Sequence, residues 1–265
     1  IRRFRELGVL DSTEPQHTLP GQLAAVIDFA ASIKLATALS QPTPWTEPSA
    51  SPEEAPRDLF LRLRAGIIRS LLAGFAPRPG YTHLKLPPCD QRLPDDDSDA
   101  FAPYRRFYVG QQRTMETKVL NLHLQIRDAS ATLSPRLAHL CELDAALGGT
   151  LVQAARKAFT DVPRLLQARF CDGLEQCRAA CGGEVDESAS WIRWQRQFRD
   201  ELRDVLLAEL DARLLPTLGL VEAGSPARNP MLHIPLGFAF LMKEHRNNWN
   251  YRTRPEPSLN QREVD

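Results

Sequence analysis

The sequence is poor in aromatic residues, in net charge and in long apolar runs. Aromatic residues make up 7% of the 265 positions, and 33 basic side chains are balanced by 33 acidic ones. A net charge of zero argues against a strongly basic nucleic-acid-binding protein, although it leaves room for a local basic patch. No apolar run approaches the roughly 18 residues that a transmembrane helix requires, so we expect no membrane span.

Cysteine is scarce, and its spacing does not match a metal site. The five cysteines lie on separate helical patterns, and their odd number is typical of a reducing compartment. Cys177 and Cys181 are four residues apart, unlike the C-x2-C pairs of zinc sites. The acidic run at 95–99 lacks the glycine and glutamate spacing of a calcium loop. Because the opening residues also lack the apolar core of a secretory signal, we expect a cytoplasmic protein, with no metal or cofactor.

Recognisable catalytic motifs are missing as well. Gly148 and Gly149 precede Lys157, but no strand comes before them and the GK[ST] ending of a phosphate-binding loop is absent. No serine occupies a nucleophile elbow, and no signature connects His123 or His139 to a cysteine nucleophile. The sequence therefore predicts a protein that is not an enzyme and has no catalytic residues. A cleft that gathered both histidines with carboxylates would favour an enzyme instead.

Leucine and alanine at helical spacing are what the sequence has in abundance. Between residues 104 and 133, apolar side chains recur at steps of three and four, which places them on one stripe of a helix. Ser134 and Pro135 then supply a cap and a first-turn proline for a second helix. Two long helices joined by a short turn are most simply antiparallel neighbours. The predicted stripe consists of Met115, Val119, Leu122, Ile126, Ala129 and Leu133.

Other helices are predicted on either side of this hairpin. Apolar residues indicate a largely buried helix over about 19–40 and another over about 57–75, where Gly74 is placed to end it. Pro163 restarts or kinks the second helix of the hairpin. A last long helix is expected over about 187–215, with arginines alternating with acidic residues on its outer face. Its inner stripe consists of Trp191, Trp194, Phe198, Leu202, Val205, Leu206 and Leu210.

Proline and aspartate divide the chain into four regions. Residues 1–75 form an N-terminal helical region that contains a Pro-rich linker at 41–56, and residues 76–103 form an irregular Pro/Asp-rich loop. Residues 104–222 form the long-helix bundle, and residues 223–265 form a tail. The predicted fold is all-α: an elongated helical bundle built on a long antiparallel helical hairpin, with Pro-rich loops and an irregular C-terminal tail.

The tail contains the best candidate binding segment. It mixes cationic side chains, which bind phosphates, with aromatic rings, which stack on bases, so single-stranded nucleic acid is one candidate ligand. The same residue types are common anchors in protein interfaces, and a solvated tail is the third alternative. The candidate residues are Lys243, His245, Arg246, Trp249, Tyr251, Arg252 and Arg254.

Four helical segments carry a resemblance to known proteins: YRRFYVGQQRTME, RLAHLCELDAAL, VPRLLQARF and LLAELDARLLPTLGLVEA. In these segments the chain resembles a known bacterial family, the ZorF-type accessory component of type III Zorya anti-phage systems. The similarity extends from the N-terminal helices to about residue 223. It implies a partnership with a second cytosolic accessory protein and with a proton-driven membrane motor of MotA/TolQ-like and MotB/OmpA-like proteins. It implies no catalytic residue.

Two hypotheses for function follow from these features. The first is a non-enzymatic cytosolic adaptor or effector subunit of an anti-phage defence system, which binds partner proteins through the long hairpin. The second is a nucleic-acid-binding effector that acts on invading phage DNA, and it depends on the basic and aromatic residues of the tail and the arginine-rich helix at 57–75.

Overall fold

A computed structural model describes residues 29–40, 54–76, 84–90, 92–94, 97–180 and 187–225. The chain divides into two compact units, residues 1–225 and 226–265, and every described residue belongs to the first. The described ranges contain α-helices and no strand, which confirms the all-α prediction. The helices are α1 (Phe29–Ser40), α2 (Pro56–Ala73), α3 (Asp97–Ala131), α4 (Pro135–Phe159), α5 (Val162–Ala180), α6 (Glu187–Arg213) and α7 (Leu215–Gly224).

Helices α3 and α4 form the predicted antiparallel hairpin. Near the turn, the Cys141 thiol lies 3.4 Å from the carbonyl oxygen of Arg127. At the far end of α4, Gln112 Nε2 lies 3.4 Å from the carbonyl oxygen of Phe159. Residue numbers therefore rise along α3 as those of its neighbours on α4 fall, which is the pattern of an antiparallel pair.

The turn between these helices follows the cap chemistry that the sequence predicts. The Ser134 hydroxyl accepts a hydrogen bond of 3.3 Å from the backbone N–H of Leu137, and Pro135 occupies the first turn of α4. Because α3 ends at Ala131, the predicted stripe does not extend to Leu133, whose side chain is 39% exposed. The other large residues of that stripe, from Met115 to Ile126, are buried.

Helix α3 begins earlier than predicted. Its first residue is Asp97, so the last part of the predicted irregular loop at 76–103 is helical, and Pro103 lies inside the helix. A proline there removes one backbone hydrogen bond, which normally favours a helix boundary. Burial of Phe101 stabilises the additional helical residues 97–103. This side chain is 1% exposed, and its ring packs on Phe170 of α5 and Phe198 of α6.

Helix α2 shares the core of the hairpin. Phe60, Ile67 and Leu71 are buried within the same cluster as the inner residues of α3 to α7. Gly74 ends α2, as predicted, but in a right-handed conformation with φ of −68°. Packing favours glycine here, since an added Cβ would lie 3.0 Å from Cε2 of the buried Phe107 ring as well as 2.5 Å from Gln111 Nε2.

The C-terminal helices complete the bundle. Helix α4 ends at Phe159 and α5 begins at Val162, which confirms the predicted restart, and every residue of the predicted α6 stripe is buried. Residues Leu215–Gly224 form an additional helix, α7, with Pro216 in its first turn, and this helix is not predicted from the sequence. None of the described helices is long and apolar enough to cross a membrane.

Candidate functional site

The residues predicted for binding, from Lys243 to Arg254, lie outside the described residues. The first compact unit nevertheless contains two polar clusters, a clamped loop and one exposed apolar helix. The polar clusters and the loop contacts join residues that are far apart in the sequence, whereas the exposed helix is one continuous segment.

His123 is the centre of the first polar cluster, where α3, α4 and α7 meet. Its Nε2 lies 2.7 Å from Asp144 Oδ2 on α4, and its Nδ1 lies 2.8 Å from Thr217 Oγ1 on α7. Because the carboxylate can only accept, Nε2 carries a proton and donates to it, which leaves Nδ1 for the threonine hydroxyl. The imidazole therefore joins three helices through both ring nitrogens.

The same three residue types occur in hydrolytic sites, in which a histidine lies between an acid and a hydroxyl nucleophile. Here Thr217 is 1% exposed, and the side chains of His123 and Asp144 are 14% and 11% exposed. A hydroxyl at that depth is out of reach of a substrate. His139 is not part of the cluster, because its Nδ1 lies 3.5 Å from Glu142 on the same helix. The arrangement therefore fixes helices, and the two histidines do not form a common cleft.

Glu209 is the centre of the second polar cluster and is fully buried on α6. It accepts hydrogen bonds from the Tyr108 hydroxyl at 2.7 Å and from Gln112 Nε2 at 2.9 Å. Arg213 Nη2 lies 2.7 Å from Glu209 Oε1, and its guanidinium lies 4.9 Å from the centre of the Phe159 ring. The carboxylate thus connects α3 with α6, and its partners Arg213 and Gln112 add contacts to Phe159 at the end of α4.

Burial shifts the acidity of the tyrosine in this cluster. Loss of solvent around Tyr108, together with the adjacent Glu209 carboxylate, raises the pKa of its phenol well above the ordinary value of 10.0. The phenol is therefore a proton donor to Glu209 at any physiological pH. The Tyr108 hydroxyl and the Glu209 carboxylate thus bind each other inside the bundle.

Residues 84–90 form a loop that is bound by side chains of α6. Gln195, which is 2% exposed on α6, accepts from the Asp90 backbone N–H at 3.0 Å and donates to the Asp90 carbonyl at 2.7 Å. Arg199 donates to the Pro87 carbonyl at 3.2 Å, and Leu86 is buried. Side chains of α6 therefore hold this part of the loop, which has no regular secondary structure of its own.

Helix α1 presents three large apolar side chains to solvent, among them Phe29, the most exposed large apolar residue of the described chain. Phe29 is 82% exposed, Leu39 57% and Ile33 52%, whereas Ala31 is its one buried residue. The prediction that this helix is largely buried is therefore wrong for the described part. The periodicity of its apolar residues indicates a helix, but it does not indicate which faces other parts of the chain cover.

A groove of about 880 Å³ lies between α1 and α4. Its walls consist mostly of alanine and glycine, with two lysines and two uncharged polar residues. The residues that line it are Ala30, Ala31, Lys34, Ala145, Ala146, Gly149, Thr150, Gln153, Ala154, Lys157 and Ala158.

Many arginines of the described surface are paired with carboxylates. Arg64 of α2 lies 2.7 Å from Asp211 of α6, and Arg169 of α5 lies 3.0 Å from Glu201. These pairs neutralise part of the cationic surface that phosphate binding would need. Among the described residues, no group of three or more histidine, cysteine and acidic side chains could hold a metal ion. Nucleic-acid binding through the tail stays a prediction.

Comparison with known proteins assigns the chain to a family. A family model described as "Protein of unknown function (DUF3348)" matches residues 1–225. The chain belongs to the DUF3348 family. That description names no function, so the resemblance to Zorya accessory proteins stays a prediction.

Other matches to this DUF3348 chain are limited. An "Alcohol dehydrogenase [acceptor]" from Pseudomonas putida is 38% identical over 60 residues, which is 23% of this chain and 11% of that protein. So short a stretch leaves nearly all of the dehydrogenase unmatched and does not transfer its activity. No solved structure matches the chain.

Proposed function

We propose that this DUF3348 protein is a non-enzymatic adaptor or effector subunit that binds other proteins of a bacterial anti-phage defence system. The observation that carries the proposal is the apolar surface of α1, where Phe29 and Ile33 are exposed one helical turn apart. Contiguous exposed apolar surface commonly marks a protein-protein interaction site.

The polar clusters support a binding role over a catalytic one. The Thr217 hydroxyl and the Glu209 carboxylate are buried, and both are engaged by side chains from neighbouring helices. A group that forms its hydrogen bonds inside the bundle cannot contact a substrate without opening the fold. The resemblance to Zorya accessory components implies two partners: a second cytosolic accessory protein and a MotA/MotB-like membrane motor.

Co-purification tests this function. The tagged chain and the second accessory protein are produced together, and we expect them to elute as one complex from affinity and size-exclusion columns. Replacing Phe29→Glu and Ile33→Glu together removes apolar contact and adds charge, so we expect at least a tenfold loss of co-purified partner. Because both side chains are exposed, the melting temperature should change little.

Leu120→Glu provides a matched control. Leu120 is 44% exposed on α3, so the substitution makes the same chemical change on another helix. This variant should retain the partner at the wild-type level. A wild-type chain that never associates with the accessory protein contradicts the adaptor function. Equal losses for the α1 and α3 variants contradict the assignment of binding to α1.

A further inference from the structure

We propose that the groove between α1 and α4 binds an acidic amphipathic helix of a partner protein. This inference rests on the proposed adaptor function, since it names the chemistry of the partner that would bind beside the α1 surface. Three features support it: the small side chains of the walls, the charges at the groove, and the apolar residues next to it.

The groove walls allow another helix to approach closely. Ala30 of α1 lies opposite a row on α4 that includes Ala146, Gly149 and Ala154. The distance between two packed helix axes depends on the size of the side chains at the contact, and alanine and glycine permit the shortest distances. A groove bounded by two helices is also a common receptor for a single amphipathic helix.

Gly149 is not required by the packing of the chain itself. A Cβ added there would meet nothing within 4 Å, and the residue lies in the middle of α4. Glycine inside a helix costs about 1 kcal/mol relative to alanine, and at Gly149 no contact within the bundle compensates for that cost. Since Gly149 lines the groove, this open space leaves room for a partner backbone to contact α4 closely.

The charges at the groove select the partner. Lys34 and Lys157 are its charged lining residues, and neither ammonium group forms an ion pair with any described side chain. The neighbouring Arg156 is already paired with Glu116 of α3. A helix with glutamate or aspartate beside its apolar stripe would complement both lysines, whereas a basic helix would be repelled.

Two designed peptides serve as probes. Each is about 20 residues long, or about 30 Å of helix, with a stripe of alanine and leucine. Glutamate borders the stripe in one peptide and lysine borders it in the other. Fluorescence anisotropy measures the affinity of each for the full chain. We expect the acidic peptide to bind about fivefold or more tightly than the basic one, as two exposed charge contacts would give.

Charge reversal and steric block locate the binding site. Lys34→Glu combined with Lys157→Glu should reverse the preference between the two peptides. Gly149→Leu should weaken the acidic peptide at least tenfold by filling the groove. Gly148→Leu is the matched control, because Gly148 is the adjacent residue, has open space around it and does not line the groove. Circular dichroism checks that all variants fold.

Each outcome supports or overturns the inference. Reversal by the lysine variants together with loss by Gly149→Leu supports it. Failure of both peptides to bind, equal binding of the two, or equal effects of the two glycine variants overturns it. If the wild-type chain still co-purifies with the accessory protein in those cases, the adaptor function stands and the partner binds elsewhere.

Discussion

At the scale of single residues, the fully buried Glu209 carboxylate depends on the side chains around it. Moving an ionised carboxylate into a protein interior costs several kcal/mol unless charged and polar partners surround it. Tyr108, Gln112 and Arg213 supply those partners, and Arg213 itself is 7% exposed. The stability of the Glu209 cluster therefore depends on all four residues. If one of them is removed, the others are left buried without a hydrogen-bond or charge partner.

The first prediction concerns this set. Glu209→Ala should lower the free energy of unfolding by about 3–5 kcal/mol, because it leaves the buried Arg213 guanidinium unpaired. Urea denaturation followed by circular dichroism measures the change. Arg156→Ala is the control, since its ion pair with Glu116 lies on the surface with the arginine side chain 53% exposed, and its effect should be far smaller. Comparable losses for both variants would contradict this account of Glu209.

The second prediction concerns pH and Tyr104. Burial, with the adjacent Cys89 as a smaller cause, raises the pKa of Tyr104 from 10.0 to about 12. The pKa of this phenol is higher in the folded protein than in the unfolded chain, so raising the pH from about 10 to about 12 ionises the unfolded chain first. The free energy of unfolding is therefore highest below about pH 10 and falls over this range. At about 1.4 kcal/mol per unit, the loss is at most about 3 kcal/mol.

Tyr104→Phe tests this dependence. Phenylalanine cannot ionise, so the variant should lose less stability than the wild type between about pH 10 and 12. The phenol oxygen lies 3.5 Å from Gln195 Oε1, which is a weak contact, so the stabilities at pH 7 should be similar. Urea denaturation at a series of pH values provides the measurement. Parallel curves for the two proteins would contradict a role for Tyr104.

At the scale of elements, the contact between α5 and α6 depends on one glycine. A Cβ at Gly173 would lie 1.8 Å from Cε2 of Trp194, so the indole ring rests directly on the backbone of α5. Trp194 also stacks on Trp191 and Phe198 with ring centres 5.6 and 5.2 Å apart. A larger residue at position 173 would therefore disturb the aromatic core as well as the helix pair.

The third prediction is that Gly173→Ala destabilises the protein by about 1–3 kcal/mol, because overpacking forces Trp194 from its position. Thermal denaturation measures the loss, and tryptophan fluorescence should shift to longer wavelength as the ring gains solvent contact. Gly66→Ala on α2 is the matched control. A Cβ at Gly66 meets nothing within 4 Å, so the gain in helix propensity should stabilise the protein by up to about 1 kcal/mol.

The sequence predicts those elements whose signals are local. The inner stripe of α6, from Trp191 to Leu210, and the cap formed by Ser134 and Pro135 involve residues within a few turns of one another. The predicted start of α3 is wrong because Pro103 is a local signal for a helix boundary. The contacts that override it, between Phe101 and the rings of Phe170 and Phe198, come from α5 and α6.

The polar clusters could not be predicted in the same way. His123 meets Asp144 and Thr217 across 21 and 94 residues, and no spacing rule connects such distant positions. His123 was visible as a candidate only by its residue type. Likewise, the exposure of Phe29 depends on which other parts of the chain cover α1. The apolar pattern of the helix itself gives no information about that.

At the scale of the whole molecule, stability is distributed unevenly between α1 and the rest of the first unit. Helix α1 buries Ala31 alone and packs on α4, whereas α6 buries most of one face in the central core. A helix with so little buried surface can open without disturbing the core, because few contacts are lost.

The fourth prediction follows from this difference. Amide hydrogen exchange of the full chain should show an opening free energy for α1 at least about 2 kcal/mol below that for α6. Mass spectrometry of proteolytic fragments provides the measurement. Addition of the accessory protein should raise protection in α1, since binding on that surface opposes the opening. Equal protection of α1 and α6 in the isolated chain would contradict the prediction.

The buried Glu209 cluster also constrains how the family can diverge. A change at Tyr108, Gln112, Glu209 or Arg213 alone strands a charge or a polar group in the interior. A homologue that lacks the buried carboxylate must therefore have several of these four residues substituted together. Alignments of homologous chains should accordingly show correlated substitution at these four sites, with wholly apolar quartets as the alternative solution.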